Sequence, residues 1–568
     1  MRAGVRSDLT RLHRGNNQPS AGRCRPVCPD ARWRAGRGAS LQLADARAGP
    51  ARCVSPAVGR PIAQTRPIRN PQSQIHNPMI RLRHLVKDTS VYGLVNATRS
   101  LVGLLLVPIY TRVFLPGDYG QIDVLTTLVA FLTLGATLGL DTATALYFYD
   151  NTGEEDRRAM VTTAVATRVG LSVLFAALIS LFAPAISEVL FRSETAASTI
   201  RIAVWTAPAN AMAGFLIELL RLSRKPWIYA ALSITNLLLS VGLSILFVVG
   251  LGWGVDGAFA GPLLAGVLIL PAGFWATRKL LSPRFSRAWL TKLLHIGLPL
   301  IPAALGGWLI AYSNRYFLLH YGSATDVGLL AVGNKASALL VLFTSAFLTA
   351  WGPFAFSIQK QENARQIYAK TLTYFWIVAG TGVVIVALFA KELLLVFTTT
   401  SYLAGAAVSG LMALQIVADS SYYIVSIGIV LAKRTRLLAY SVPVAAAACV
   451  IFNLLLVPRL NYIGAALAAM LAYGASAVMV YFLSQRAYPI PYETGKVLSI
   501  LAMCVIAWLA GMATNQLSLW VGIGVKIILL AAFVAALFLL RIVGPNEINL
   551  GYGWARRRLR MMGRGHSA

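Results

Sequence analysis

Fourteen runs of about twenty mostly apolar residues follow one another between residues 90 and 540, separated by short connections. A helix rises 1.5 Å per residue, so about twenty residues are needed to cross the roughly 30 Å hydrocarbon layer of a bilayer. Lipid offers the backbone no hydrogen-bonding partner, and each segment must satisfy its own N–H and C=O groups as a helix. The expected fold class is therefore an all-α polytopic membrane protein with about fourteen transmembrane helices. The windows are 90–110, 124–148, 160–182, 202–220, 228–250, 257–277, 297–319, 327–350, 371–390, 406–431, 437–457, 463–484, 497–514 and 519–540. Composition agrees: 57% of residues are apolar and 13% charged, against about 25% charged in soluble domains.

The net charge of +30 is unevenly distributed. Counting Lys and Arg in alternate connections from residue 79 onward gives 27 on one side and 5 on the other. This is the asymmetry of the positive-inside rule, with both termini and a basic tail at 546–568 in the cytoplasm. Basic residues confined to short gaps between spans read as topology signals, so no nucleic-acid partner is expected. Residues 1–78 hold fourteen Arg and three Asp among many Gly, Pro and Ala. They show no amphipathic period and read as a disordered tail. Met79 opens Met79-Ile80-Arg81-Leu82-Arg83, a short basic lead into the first span, and is an alternative start. Cys24 and Cys28 lack a second pair of ligands at metal-binding spacing, so no metal site is expected there. Cys449 and Cys504 fall inside spans and read as packing residues.

Three short matches recur at nearly one offset. Arg112-Val113-Phe114-Leu115 resembles Arg315-Tyr316-Phe317-Leu318, Arg224-Lys225 resembles Lys433-Arg434, and Gly257-Ala258-Phe259-Ala260 resembles Gly464-Ala465-Ala466-Leu467-Ala468. Their shared order suggests two lobes of six helices, at 79–291 and 292–485, with an appended pair at 486–545. Because six is even, the repeat would be parallel about an axis along the membrane normal, which implies a cavity between the lobes.

Charges inside spans are the candidates for chemistry, since each costs about 2.5–3.5 kcal/mol at the centre of a lipid-facing helix on insertion scales. Arg315 lies near a span end and can snorkel, whereas Arg168, Lys335 and Lys526 lie about 10–12 Å deep. Arg99 sits near mid-span and has no such exit. Arg99, Arg315 and Lys335 are candidates to line a polar cavity, and a structural ion pair is the competing assignment for each. Among the acids, Asp141, Glu218 and Asp419, only Asp419 is close to mid-span. It is a candidate ion or proton coupling site, or a neutralising partner for Arg99. Asn236, Asn314, Asn334 and Asn453 read as interhelical hydrogen-bonding glue. Leu298-Pro299-Leu300-Ile301-Pro302 is expected to break or bend the start of the seventh span. The chain has no Gly-x-x-x-x-Gly-Lys-Ser/Thr motif and no long outer connection carrying an acidic or His cluster. Neither ATP hydrolysis nor another enzyme activity is expected, and no cofactor.

Several of these segments together resemble the polysaccharide or O-antigen flippases (Wzx-type) of the multidrug/oligosaccharidyl-lipid/polysaccharide exporter superfamily. They are Val107-Pro108-Ile109-Tyr110-Thr111-Arg112 with Asp118-Tyr119-Gly120, Gly297-Leu298-Pro299-Leu300-Ile301-Pro302, Asn314-Arg315-Tyr316-Phe317-Leu318 with Val327-Gly328, and Ile463-Gly464-Ala465-Ala466. The resemblance spans roughly residues 85–545, with one departure: the family often has Asp-Arg where this chain has Asn314-Arg315. It implies a V-shaped transporter in the bacterial inner membrane whose cationic cavity accepts a polyprenyl-diphosphate-linked oligosaccharide. Spans 13 and 14 would guide the lipid tail. Membrane lipids and polysaccharide polymerase machinery would be its other partners. Arg grips phosphate oxygens in a bidentate fork and Lys meets them as a point charge, which suits Arg99, Arg315 and Lys335 to the diphosphate. An ion-coupled exporter of drugs or metabolites and, more remotely, a membrane polysaccharide polymerase or ligase are the alternatives.

Overall fold

The computed structural model describes residues 78–150 and 153–542, and the tail 1–77 and the C-terminal segment from 543 lie outside them. Among the described residues every regular element is helical. Thirteen helical stretches are long and apolar enough to cross a membrane. One of these, Arg436–Ala487, is two spans joined at Asn461, whose backbone (φ 48°, ψ −128°) leaves the helical region. Divided there, the thirteen become fourteen, in the order expected from the apolar runs.

Span 1 is Pro78–Val113; span 2 is Pro116–Thr137 continued by Leu140–Asp150; span 3 is Glu154–Leu181, followed by a short helix, Ala183–Phe191. Spans 4 to 6 are Ala197–Leu222, Pro226–Ile245 with a π-helical last turn at Leu246–Gly250, and Gly254–Thr277. Span 7 comprises Arg287–Gly297, a 3₁₀ turn at Leu298–Leu300, and Ile301–Tyr321. Span 8 is Ala324–Ala336 continued by Ala338–Ser357, span 9 is Ala364–Phe397, and span 10 is Ala406–Val425 with Ile427–Leu431. Spans 11 and 12 share Arg436–Ala487, and spans 13 and 14 are Thr494–Thr514 and Leu519–Leu539.

Two breaks differ from uninterrupted helices. Span 2 turns at Leu138 (φ 43°) and Gly139 (φ 69°), both in the left-handed region. Span 7 changes to 3₁₀ geometry at Pro299, as proline's missing N–H and fixed φ require. The stretch before that turn is itself an amphipathic helix: Trp289 and Leu293 are buried against span 3 and the end of span 2, while Arg287 and Lys292 are exposed. The Trp289 indole N–H donates to Asp156 at 2.7 Å, and the Lys292 ammonium lies 4.4 Å from the Trp289 ring.

Packing follows the same physics in both halves. Span 4 carries a nearly continuous buried face, from Ile200 through Ala203, Ala207 and Leu216 to Leu220, and is surrounded by spans 2, 3 and 6. Span 10 has a comparable face, from Val408 through Leu411 and Leu414 to Ile424, against spans 9 and 12. Spans 1 to 6 pack chiefly on one another, as do spans 7 to 12, and spans 13 and 14 attach to span 9. The first six meet the next six mainly where span 2 lies against spans 7 and 8.

Candidate functional site

The seam between spans 2, 7 and 8 is built from three kinds of contact. At one end the first turns of spans 2 and 8 touch backbone to backbone. A Cβ placed on Gly120 would lie 1.8 Å from the Ala324 carbonyl oxygen, and one on Gly328 would lie 1.9 Å from that of Pro116. No side chain of any kind fits there. Tyr402 reinforces this end by donating its hydroxyl to the Phe114 carbonyl at 2.8 Å and packing edge-on against Tyr119.

One turn farther along span 2, Asp123 accepts from Arg315 Nε of span 7 at 2.9 Å. Arg315 Nη1 donates to the Ala311 carbonyl and to Asn314 Oδ1, each at 2.8 Å. Its side chain is 10% exposed and that of Asp123 is 21% exposed. The carboxylate facing Arg315 thus comes from another span, 192 residues earlier, while Asn314, where the family often carries Asp, serves as a neutral acceptor. At the other end Gly297 approaches the break in span 2. A Cβ on Gly297 would lie 2.2 Å from the Leu138 carbonyl oxygen.

Along this seam lies an open cavity of about 570 Å³, bordered by span 2 from Ala130 to Thr142 and by span 7 from Leu300 to Tyr312. A separate small cleft forms where Leu104 and Val107 of span 1 face Lys335 and Leu339 of span 8 and Leu393 of span 9. Lys335 is exposed there, at the step in span 8 where Ser337 donates to the Ser409 carbonyl at 2.7 Å. Arg99 is exposed on span 1, five residues or about 7.5 Å of helix axis before Leu104. Among the described residues neither Arg99 nor Lys335 makes an ion pair. The three cations singled out in the sequence therefore stand at three places: Arg315 bonded across the seam, Lys335 at the cleft, and Arg99 on the open face of span 1. Asp419 is half-buried in span 10 and forms no ion pair with Arg99.

The other charges within spans are engaged structurally. Arg168 is paired with Asp141 of span 2, and its guanidinium lies over Phe215. Lys526, which could have snorkelled, is fully buried instead and pairs with Glu392 of span 9 at 2.7 Å, with Asn515 Oδ1 at 2.9 Å. The asparagines read as interhelical glue act otherwise in two cases. Asn314 supports its neighbour Arg315, and Asn453 donates within its own helix to the Cys449 carbonyl, so these two amides serve the local geometry of a helix. Asp123 and Glu392, the acids that receive the buried cations, escaped the sequence reading because they fall one and two residues outside the apolar windows. A cation inside a span was itself the signal that such a partner should be sought nearby.

Residues 85–359 match a family model described as polysaccharide biosynthesis protein. The match covers 275 of the chain's 568 residues, just under half. The chain is also similar to a curated relative, Lsg locus putative protein 1 of Haemophilus influenzae (strain ATCC 51907 / DSM 11121 / KW20 / Rd). The two are 24% identical over 291 residues, which cover 49% of this chain and 67% of the relative. The solved structure of the lipid II flippase MurJ in an inward closed conformation superimposes on this chain with a TM-score of 0.63 at 13% identity, over 79% of this chain and 99% of that one. An inward-facing multidrug resistance MATE transporter of the MOP superfamily superimposes with a TM-score of 0.53 at 15% identity, over 72% and 99%. At these identities the likeness is one of fold, and it is the multi-pass fold of the exporter superfamily that the resemblance implied.

Proposed function

We propose that this protein is a flippase that carries a polyprenyl-diphosphate-linked oligosaccharide across the bacterial inner membrane. The observation that carries this reading is the seam: a cavity between spans 2 and 7 along a junction that closes backbone to backbone at Gly120–Gly328 and at Gly297, with the cations Arg99 and Lys335, which make no ion pair among the described residues, outside it. A transporter of a large amphiphile needs a compartment between two bodies that separate at one end at a time, and cations that compensate a diphosphate in a low-dielectric setting. On this reading residues 79–291 and 292–485 are two lobes in parallel repeat, spans 13 and 14 (486–545) accompany the lipid tail, and both termini face the cytoplasm. Arg99 and Lys335 meet the diphosphate. Arg315 joins them once Asp123 withdraws, and Asp419 is the site of ion or proton coupling.

The half-buried Asp419, without an ion-pair partner among the described residues, favours a second reading. In it the chain is an ion-coupled exporter of cationic solutes. Complementation of a deletion strain separates the two readings. A flippase restores surface polysaccharide, and its loss leaves lipid-linked oligosaccharide in the inner leaflet. An exporter restores neither and changes drug tolerance instead. In the same assay Arg99→Ala should abolish polysaccharide assembly at normal membrane abundance, and Arg99→Lys should retain part of it, because the charge survives without the bidentate fork. Full activity in Arg99→Ala would remove Arg99 from the site.

A further inference from the structure

We propose that the cavity between spans 2 and 7 is a saccharide subsite, in which Trp308 and Tyr312 stack on uncharged sugar rings while the diphosphate is held elsewhere. This rests on the flippase reading and specifies which part of the substrate the cavity takes.

The lining decides the ligand chemistry. Trp308 and Tyr312 stand one turn apart on span 7, and Thr133 and Thr137 stand one turn apart on span 2. Ala304 and Gly307 keep the wall beside the rings low. No Asp, Glu, Lys, Arg or His is among the lining residues. An anion placed here would have no counter-charge. An acyl chain would leave the hydroxyls facing hydrocarbon. A pyranose fits both features, because its C–H faces carry the slight positive charge that an aromatic face attracts and its rim carries hydroxyls. Thr133 and Thr137 donate their protons to the Val129 and Leu134 carbonyls, each at 2.8 Å, so their oxygens remain as acceptors for sugar O–H groups. The volume of about 570 Å³ falls in the range of small-molecule sites, and suits a short glycan rather than a whole lipid carrier.

The stacking surface is also held in place before any ligand arrives. The Trp308 indole N–H donates to the Thr127 carbonyl of span 2 at 3.3 Å, and Phe131 packs against the ring at a centroid separation of 4.9 Å. A pre-oriented ring forfeits little entropy on binding. Arg315 lies 5.7 Å from the Tyr312 ring but is committed to Asp123.

The test uses the full chain in lipid nanodiscs with two probes. One is undecaprenyl diphosphate; the other is the lipid-linked oligosaccharide extracted from a host strain lacking this gene. Wild-type protein should bind the sugar-bearing probe more tightly. Trp308→Ala should weaken that probe about tenfold while leaving undecaprenyl diphosphate unchanged, and Trp308→Phe, which keeps an aromatic face, should stay within about threefold of wild type. Equal wild-type affinities, a parallel loss for both probes, or no loss in Trp308→Ala each overturns the saccharide subsite alone. Wild-type protein that binds neither probe overturns the flippase reading beneath it. Should Trp308→Ala fail to reach the membrane, Tyr312→Leu carries the same comparison with the same outcomes, because the Tyr312 hydroxyl makes no hydrogen bond among the described residues.

Discussion

Asp123→Ala tests whether the seam is held by charge. In the structure Arg315 has three acceptors: Asp123 at 2.9 Å, and Ala311 O and Asn314 Oδ1 at 2.8 Å. Removing one partner of a fully buried pair costs about 3–5 kcal/mol. Asp123 is 21% exposed and two neutral acceptors remain, so the cost falls below that range, at about 2–3 kcal/mol. Only conformations in which spans 2 and 7 touch lose this energy. The ratio of open to closed protein should therefore rise by about 30- to 150-fold, at 1.4 kcal/mol per factor of ten. Val124, next to Asp123, is fully buried and clusters with Leu318 of span 7 and Val327 of span 8. A Val124→Cys reporter in a background without Cys449 and Cys504 should be labelled slowly by a membrane-impermeant maleimide added outside the cell. Adding Asp123→Ala should accelerate labelling by a factor in that range, up to the point where opening is complete. An unchanged rate in a folded, membrane-resident variant would show that the pair does not hold the seam, and would leave Arg315 to be judged by its effect on substrate alone.

Three further outcomes are expected. Lys526→Met and Glu392→Leu should each lower thermal stability in detergent by about 3–5 kcal/mol and the double variant should recover most of it, because a lone buried charge is what costs; equal losses in all three variants would refute the pairing. Gly120→Ala should prevent closure of the seam, since its Cβ meets a backbone oxygen at 1.8 Å where ordinary contact begins near 3.4 Å. In the Val124→Cys reporter it should therefore label quickly, and slow labelling would mean that the helices can shift to admit the methyl group. Reporter fusions after Gln485 and Leu540 should signal cytoplasm and one after Asn515 the outer side, and any reversal would break the charge asymmetry on which the topology rests.

The spans were legible because lipid enforces them: a helix that must satisfy its own backbone in hydrocarbon announces itself by length and apolarity. The Pro299 break was legible for an equally local reason. What escaped were relations between distant segments. Hydropathy windows end where charge begins, and so they trimmed Asp123 and Glu392 from the very spans whose cations they serve. The turn at Leu138 and Gly139 was missed because its residues are as apolar as their neighbours. Gly297 packs directly against it, a contact between distant segments. The cavity was invisible for the same reason: nothing in the sequence sets Trp308 and Tyr312 apart from other aromatics in spans until Thr133 and Thr137 are placed opposite.

The Gly120–Gly328 contact separates two kinds of inheritance. A seal made of side chains must co-vary with its partner, so altering the compartment behind it risks breaking the closure. Here the closure consists of main-chain atoms, which are identical in every amino acid, and it asks only that two positions carry no Cβ. The residues lining the neighbouring cavity are then free to be rewritten for a new cargo while the closing machinery stays untouched. On the flippase reading, a protein built in this way would follow a changing surface glycan by substitution at a handful of positions.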